Sequence, residues 1–257
     1  MALGLFAAVS ARWSKRAVKR RKNELSRRFD RRFDSTVAYG PFRGLKLSPD
    51  SWWGASDRAA MLFGIYEQEV LRSIFDAPAA RRVFIDIGAA DGYYATGVLT
   101  SGRFDRAVCF EAAETGRAVI RGNAERNGVA DRLEILGAAD AAALAALPPD
   151  ELASAVVLMD IEGAEFDLLD RPALEALRRA VVIVEVHPFN VADGAGRLAA
   201  LRKNAEDFFT VSIFTTGARD LSMFPELAAL PDIDRWLVCG ESRPCLMSWL
   251  RLDPKAA

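Results

Sequence analysis

The chain has 257 residues, 51% of them apolar and 27% charged, with a formal net charge of -1, which is material for a substantial core and excludes a disordered chain. One α/β domain with extensions is expected rather than two equal domains. Three cysteines, Cys109, Cys239 and Cys245, form an odd set with no paired metal spacing and read as buried reduced thiols of a cytosolic protein.

The neutral total conceals an asymmetry. Residues 1–32 hold eleven Lys or Arg against Glu24 and Asp30, a net of nine positive charges, while the rest of the chain carries ten net negative ones. Such an arm calls for an anionic partner or for contact with its own body. Its opening stretch, Met1 to Val9, lacks the positive n-region of a secretory signal and is too short to span a bilayer, so export is not expected. Leu5, Val9 and Trp13 step by four, which suits a helix lying on a membrane surface, packing on its own domain or exchanging between subunits of a homo-oligomer; a disordered start is the alternative. No nucleic-acid partner is expected, because the body is acidic and the arm has no interleaved stacking aromatics.

Turn chemistry in Thr36 to Leu47 predicts a small hairpin. Asp57 to Phe75 predicts one helix or two, stopped before Pro78. After Arg82 the rhythm becomes strand, turn, helix. Strands are expected at Val83 to Ile87, Ala107 to Phe110, Leu133 to Leu136, Val156 to Met159, Val181 to Val186, Val211 to Phe214 and Trp236 to Cys239, with helices between them. The fold class that follows is α/β: a Rossmann-like, seven-stranded, mostly parallel sheet with helices on both faces, plus an N-terminal helical and hairpin extension. The expected divisions are a basic arm, helical or disordered, at 1–35, hairpin and cap helices at 36–80, and the α/β sheet domain at 81–257.

In such sheets the ligand lies across the C-terminal strand ends where strand order reverses. The first strand breaks into Gly88-Ala89-Ala90-Asp91-Gly92, a Gly-x-x-x-Gly turn whose glycines would let backbone approach a ligand closely. Asp86 and Asp91 stand where a dinucleotide's pyrophosphate would sit, and carboxylates repel a diphosphate. S-adenosylmethionine carries a cationic sulfonium and ammonium and no phosphate, so the sign of charge favours it. Glu111 ends the second strand 23 residues after Gly88, with two acceptors for ribose hydroxyls, and Asp140 follows the third, within reach of an adenine amino group. Asp160 and Glu162 follow the fourth; Glu185 and His187 close the fifth. His187, the only histidine, has an ordinary pKa of roughly 6.5 and is the candidate general base. Asp160 and Glu162 would orient the substrate, share the proton or, with Glu185, hold a divalent cation. Gly163 reads as permitting a turn and Glu165 as favourable at a helix start. Asn123 and Asn127 read as helix-surface or capping residues. Tyr66 and Glu67 are candidates to close over the cofactor, and Trp52, Trp53 and Phe63 to line the acceptor pocket.

The chain resembles the FkbM family of class I S-adenosylmethionine-dependent methyltransferases. The resemblance is carried by Tyr39-Gly40-Pro41-Phe42 with Gly64-Ile65-Tyr66-Glu67, the Asp86 to Tyr94 motif, Phe110-Glu111, Asn123 and Asn127, Asp160-Ile161-Glu162-Gly163-Ala164-Glu165, and Glu185-Val186-His187, over residues 39 to 190. It implies O-methylation of a hydroxyl on a sugar, glycan or other small molecule. Asp86, Gly88, Ala89, Asp91, Gly92, Glu111, Ala112 and Asp140 would bind the cofactor, and His187, Asp160 and Glu162 would face the acceptor. Ala112-Ala113 stands where the family commonly has a proline, which predicts a less rigid backbone there. The expected location is cytoplasmic, with peripheral contact at the inner membrane surface through residues 1–32. The rival functions are a nicotinamide-dependent oxidoreductase and a non-catalytic scaffold with a membrane-surface arm.

Overall fold

The computed structural model describes residues 2–53, 56–243 and 245–255, with side chains from Lys15 onward. Its helices are α1 (Ala2–Arg32), α2 (Arg58–Leu62), α3 (Gln68–Phe75), α4 (Tyr93–Thr100), α5 (Glu114–Arg126), α6 (Ala141–Ala145), α7 (Pro149–Ala153), α8 (Glu165–Leu168), α9 (Arg171–Leu177), α10 (Gly194–Ala205) and α11 (Asp232–Cys239). Its strands are β1 (Val83–Ile87), β2 (Arg106–Phe110), β3 (Leu133–Leu136), β4 (Ala155–Met159), β5 (Val181–Glu185), β6 (Phe209–Thr215) and β7 (Ser248–Pro254).

The strands form one sheet in the order β3-β2-β1-β4-β5-β7-β6. The first five are parallel, and β7 runs antiparallel to both β5 and β6. Every residue of β1, β4 and β5 is buried, which is why these runs are apolar without alternation. The chain steps outward from β1 to β3, then returns to β4 and moves the other way. With right-handed crossovers this puts α4 and α5 on one face of the sheet and α6, α7 and α9 on the other. The second face buries Leu144, Leu152, Leu174 and Leu177 against Val157, Met159, Val182 and Val184. Each such leucine contributes about 1.5–3 kcal/mol by leaving water. The strand order reverses beside β1, so the C-terminal ends of β1, β2 and β4 converge there.

Three expectations are corrected. Trp236 to Cys239 is helical, as part of α11: Pro231 precedes it, and Asp232 and Asp234 in its first turn favour the helix dipole. The last strand is instead β7, where Trp249, Leu250 and Leu252 are buried around a half-exposed Arg251. Thr36 to Leu47 forms turns with isolated bridge residues at Thr36 and Lys46, not a hairpin of two strands. Cys109 and Cys239 are buried free thiols as expected, but Cys245 is exposed.

The chain divides into two compact units. One comprises Met1–Gly44, Gly54–Tyr66 and Ala218–Pro244; the other comprises Leu45–Trp53, Glu67–Gly217 and Cys245–Ala257 and contains the sheet. In the first unit, α1 buries Lys22, Leu25, Ser26 and Phe29. Phe63 meets Phe29, Phe33 and Phe224 at ring separations of 4.9, 5.3 and 5.0 Å, so of its two readings, core or acceptor pocket, it takes the core. The Lys22 ammonium donates to Asp57 Oδ1 at 2.5 Å and to the Ser242 hydroxyl at 2.9 Å. Arg21 grips Asp234 with two nitrogens, at 3.0 and 2.6 Å, tying α1 to α11.

Candidate functional site

The turn after β1 is shaped by the protein's own backbone. The N–H groups of Gly88 and Ala89 both donate to the Phe110 carbonyl, at 2.9 and 3.1 Å. Gly88 has φ +88°, and a Cβ there would lie 1.9 Å from the Asp160 carbonyl oxygen; a Cβ on Gly92, at φ +74°, would lie 3.1 Å from Ile120. Gly88 thus makes room for the Asp160 corner that follows β4, and Gly92 for α5, and this close packing brings the Asp160 corner against the end of β1.

Glu111, 6% exposed, accepts the Ala90 N–H at 2.9 Å through Oε2 and the Ala113 N–H at 2.8 Å through Oε1. Its carboxylate is thereby fixed across the turn, and each oxygen keeps a further acceptor site. Arg117 donates from Nη1 to the carbonyls of Glu111 and Ala112, at 2.7 and 2.8 Å. These two bonds tie the backbone of Glu111 and Ala112 to α5. The exposed Asp140 caps α6 by accepting the Ala143 N–H at 2.7 Å.

Asp91 binds the chain rather than standing free. One of its oxygens accepts the Ser51 hydroxyl and the other the Trp52 N–H at 3.1 Å. Asn123, buried, donates to the Asp91 carbonyl at 2.8 Å and accepts the Ser48 N–H at 2.7 Å; Asn127 exchanges two 2.8 Å hydrogen bonds with the backbone of Lys46. Asn123 is thus a buried link and not a surface or capping group, whereas Asn127 is the C-cap of α5, as expected, and also donates to the Asn123 carbonyl at 2.8 Å. They pin segment 46–52 beside the glycine turn. That segment carries Trp52, whose indole nitrogen would lie 2.6 Å from a Cβ on Gly116, with the Glu111 side chain 2.8 Å from the same point.

A second cluster centres on His187, which is 2% exposed. Its Nε2 lies 3.6 Å from Asp160 Oδ1, 3.6 Å from Glu162 Oε2 and 3.8 Å from Glu185 Oε1, and its Nδ1 lies 3.5 Å from Glu165 Oε1. The three predicted acceptor residues therefore come together. Glu162 occupies left-handed backbone at φ +57°, and its side chain and carbonyl receive Asn190 Nδ2 at 3.1 and 3.3 Å. Glu165 was missed as a site residue. It is fully buried, and its two oxygens accept the N–H groups of His187 and Gly163, both at 2.7 Å. The visible signal was its place in Asp-x-Glu-Gly-x-Glu, read only as a helix start.

Burial pushes the His187 imidazole down, but Glu165 together with Asp160 and Glu162 outweighs it and raises the pKa above 6.5. Burial pushes the Asp160 carboxyl up to about 6, against the pull of His187. Asp86, 2% exposed, is pushed up to about 7, first by burial, with Asp160 and Glu111 adding repulsion against the Ala95 backbone hydrogen bond. Its Oδ2 is buried without a hydrogen-bond partner. One ligand atom from each of Asp160, Glu185 and His187 lies within 4.8 Å of the others, a spacing that a cation could bridge.

No family model matches the chain, and no curated protein matches it. Solved structures do. The chain is similar to cofactor-bound Rv0187 from MTB (20% identity over 76% of this chain and 83% of that one, TM-score 0.49). It is also similar to the B. subtilis m1A22 tRNA methyltransferase TrmK (8%, 72% and 65%, 0.49) and to precorrin-6y C5,15-methyltransferase from Geobacter metallireducens GS-15 (13%, 74% and 88%, 0.47). At TM-scores below 0.5 these likenesses leave the chemistry of the site to its own residues.

Proposed function

We propose that this chain is an S-adenosylmethionine-dependent methyltransferase of the FkbM type, transferring methyl to a hydroxyl of a sugar, glycan or other small molecule. The observation that carries this reading is the buried, partnerless Oδ2 of Asp86 at the point where strand order reverses. An anionic cup that resists its own ionisation is relieved by a cation, and the ammonium and sulfonium of S-adenosylmethionine offer two; a pyrophosphate would add to the repulsion.

In this reading Asp86 and the Gly88 to Gly92 turn hold the cationic end of the cofactor, and Glu111 takes the ribose hydroxyls while Arg117 keeps it in place. Bound there, the cofactor supplies an electrophilic methyl group. His187 Nε2 removes the acceptor's hydroxyl proton, and Asp160 and Glu162 stabilise the resulting imidazolium. Glu165 holds the ring from the Nδ1 side. Positioning and proton removal are what the protein contributes to an in-line displacement.

Replacing His187 with alanine tests the assignment. Turnover on an accepted hydroxyl substrate is expected to fall about 10²–10⁴-fold with the affinity for S-adenosylhomocysteine nearly intact. A variant of normal turnover rules out the role.

A further inference from the structure

The outer face of helix α1 has a composition of its own. Lys22, Leu25, Ser26 and Phe29 form the buried stripe. On the opposite side, Arg16, Arg20, Arg27 and Arg31 recur at helical intervals, and all four are exposed. Arg16, Arg27 and Arg31 make no ion pair among the described residues, while Arg20 meets Glu24 at 3.7 Å. The basic residues that serve the fold are different ones: Arg21 holds Asp234, Lys22 holds Asp57, and Arg58 holds Asp30.

The same interval continues through the sequence. Positions 5, 9, 13, 16, 20, 27 and 31 are spaced by three, four or seven residues and read Leu, Val, Trp, Arg, Arg, Arg, Arg; the first three are read from the sequence alone. Apolar and aromatic residues followed by arginines in one register suit a helix lying at the boundary between acyl chains and headgroups. They do not suit a nucleic-acid groove, where stacking aromatics alternate with cations. In the same unit, α11 exposes Ile233 by 74% and Trp236 by 57%. No helix among the described residues is long and apolar enough to cross a membrane, so a surface-lying helix is the fitting mode.

We propose that the outer face of α1, along Arg16, Arg20, Arg27 and Arg31, docks the protein on an anionic lipid surface. This holds whether or not the sheet transfers methyl groups.

Flotation of the full chain with vesicles tests it, comparing phosphatidylcholine alone with an equal mixture of phosphatidylcholine and phosphatidylglycerol. Binding is expected only to the anionic vesicles, and raising salt from about 0.05 to about 0.5 M is expected to release the protein. The combined Arg16→Gln, Arg20→Gln, Arg27→Gln and Arg31→Gln variant, whose fold is checked by its circular dichroism melt, is expected to lose on the order of a hundredfold in partitioning. The salt series on the unaltered protein serves as the second measure should that variant melt early. Equal binding to neutral vesicles, no binding at low salt, or full binding by a folded quadruple variant would overturn the proposal. So would displacement from anionic vesicles by polyuridylate at matched charge, which would assign the face to nucleic acid.

Discussion

The Glu165 carboxylate accepts the backbone N–H of His187 at 2.7 Å through Oε1, and the same oxygen lies 3.5 Å from Nδ1 of that ring. One buried acid thus fixes both the main chain and the imidazole of the proposed base. Burial alone would raise the Glu165 carboxyl, yet the hydrogen bonds from His187 outweigh it and hold the carboxyl below its ordinary range, so it stays ionised. The consequence for His187 has a definite sign. A raised folded pKa stabilises the fold below pH 6.5 and loses that contribution as pH climbs through the raised value. As a base, His187 becomes competent over that same climb. Glu165→Gln is therefore expected to move the acidic limb of the kcat profile to lower pH and to reduce plateau kcat by about tenfold, with KM changed less. An unmoved limb would refute the role of Glu165.

Asp86 is the fold's sacrifice to the site. Its carboxyl is pushed from 3.8 to about 7, so the folded state binds a proton that the unfolded state has released, and stability falls as pH rises through that window. Asp160, pushed to about 6, adds a smaller slope of the same sign. Asp86→Asn keeps an acceptor for the Ala95 backbone and removes the charge. At pH 8 it is expected to be more stable than the parent by on the order of 2–4 kcal/mol, with the gain vanishing near pH 4. It is also expected to bind S-adenosylhomocysteine at least about tenfold more weakly, a trade of function against stability. Urea melts at the two pH values and one titration check both halves.

Arg117 braces the backbone at the end of β2. Its Nη1 reaches the carbonyls of both Glu111 and Ala112, residues that the proposed ribose site depends on. Arg117→Met keeps the stem and removes the donors. S-adenosylhomocysteine Kd is expected to rise about tenfold with a loss of stability near 1 kcal/mol, since hydrogen bonds from charged donors are worth about 1.5–3 kcal/mol and this one is partly solvated. An unchanged Kd would show that the strand end holds its shape unaided.

Asn123 links three segments through one buried and one partly buried hydrogen bond. Replacing it with alanine strands the Ser48 N–H and the Asp91 carbonyl, and is expected to cost about 2–3 kcal/mol in urea unfolding. Asn127→Ala breaks comparable bonds at an exposed position and should cost less, about 1 kcal/mol or under.

The parts of the fold legible in the sequence were those written in local chemistry. The apolar runs of β4 and β5, and of β1 apart from Asp86, announce strands covered on both faces, and each ends in a carboxylate or glycine that marks the edge. Trp236 to Cys239 misled because four apolar residues suit either a strand or one turn of helix; Pro231 and the aspartates that follow were the deciding signal. Strand β7 was missed although Trp249, Leu250 and Leu252 are apolar, because Arg251 interrupts the run and an antiparallel strand inserted between β5 and β6 is a non-local pairing with no motif of its own. At the site, Asp160, Glu162 and His187 were legible as strand-end groups. Glu165 and Asn123 were not, since their roles lie in which backbone N–H groups they meet 22 and 75 residues away.

The central claim is that the cup formed by Asp86, Glu111 and Asp160 accepts a cationic methyl donor. Isothermal titration of the unaltered protein with S-adenosylhomocysteine and, separately, with NAD tests it most directly. The account predicts one equivalent of S-adenosylhomocysteine bound and no heat from NAD; saturable binding of NAD, or none of S-adenosylhomocysteine, would contradict it.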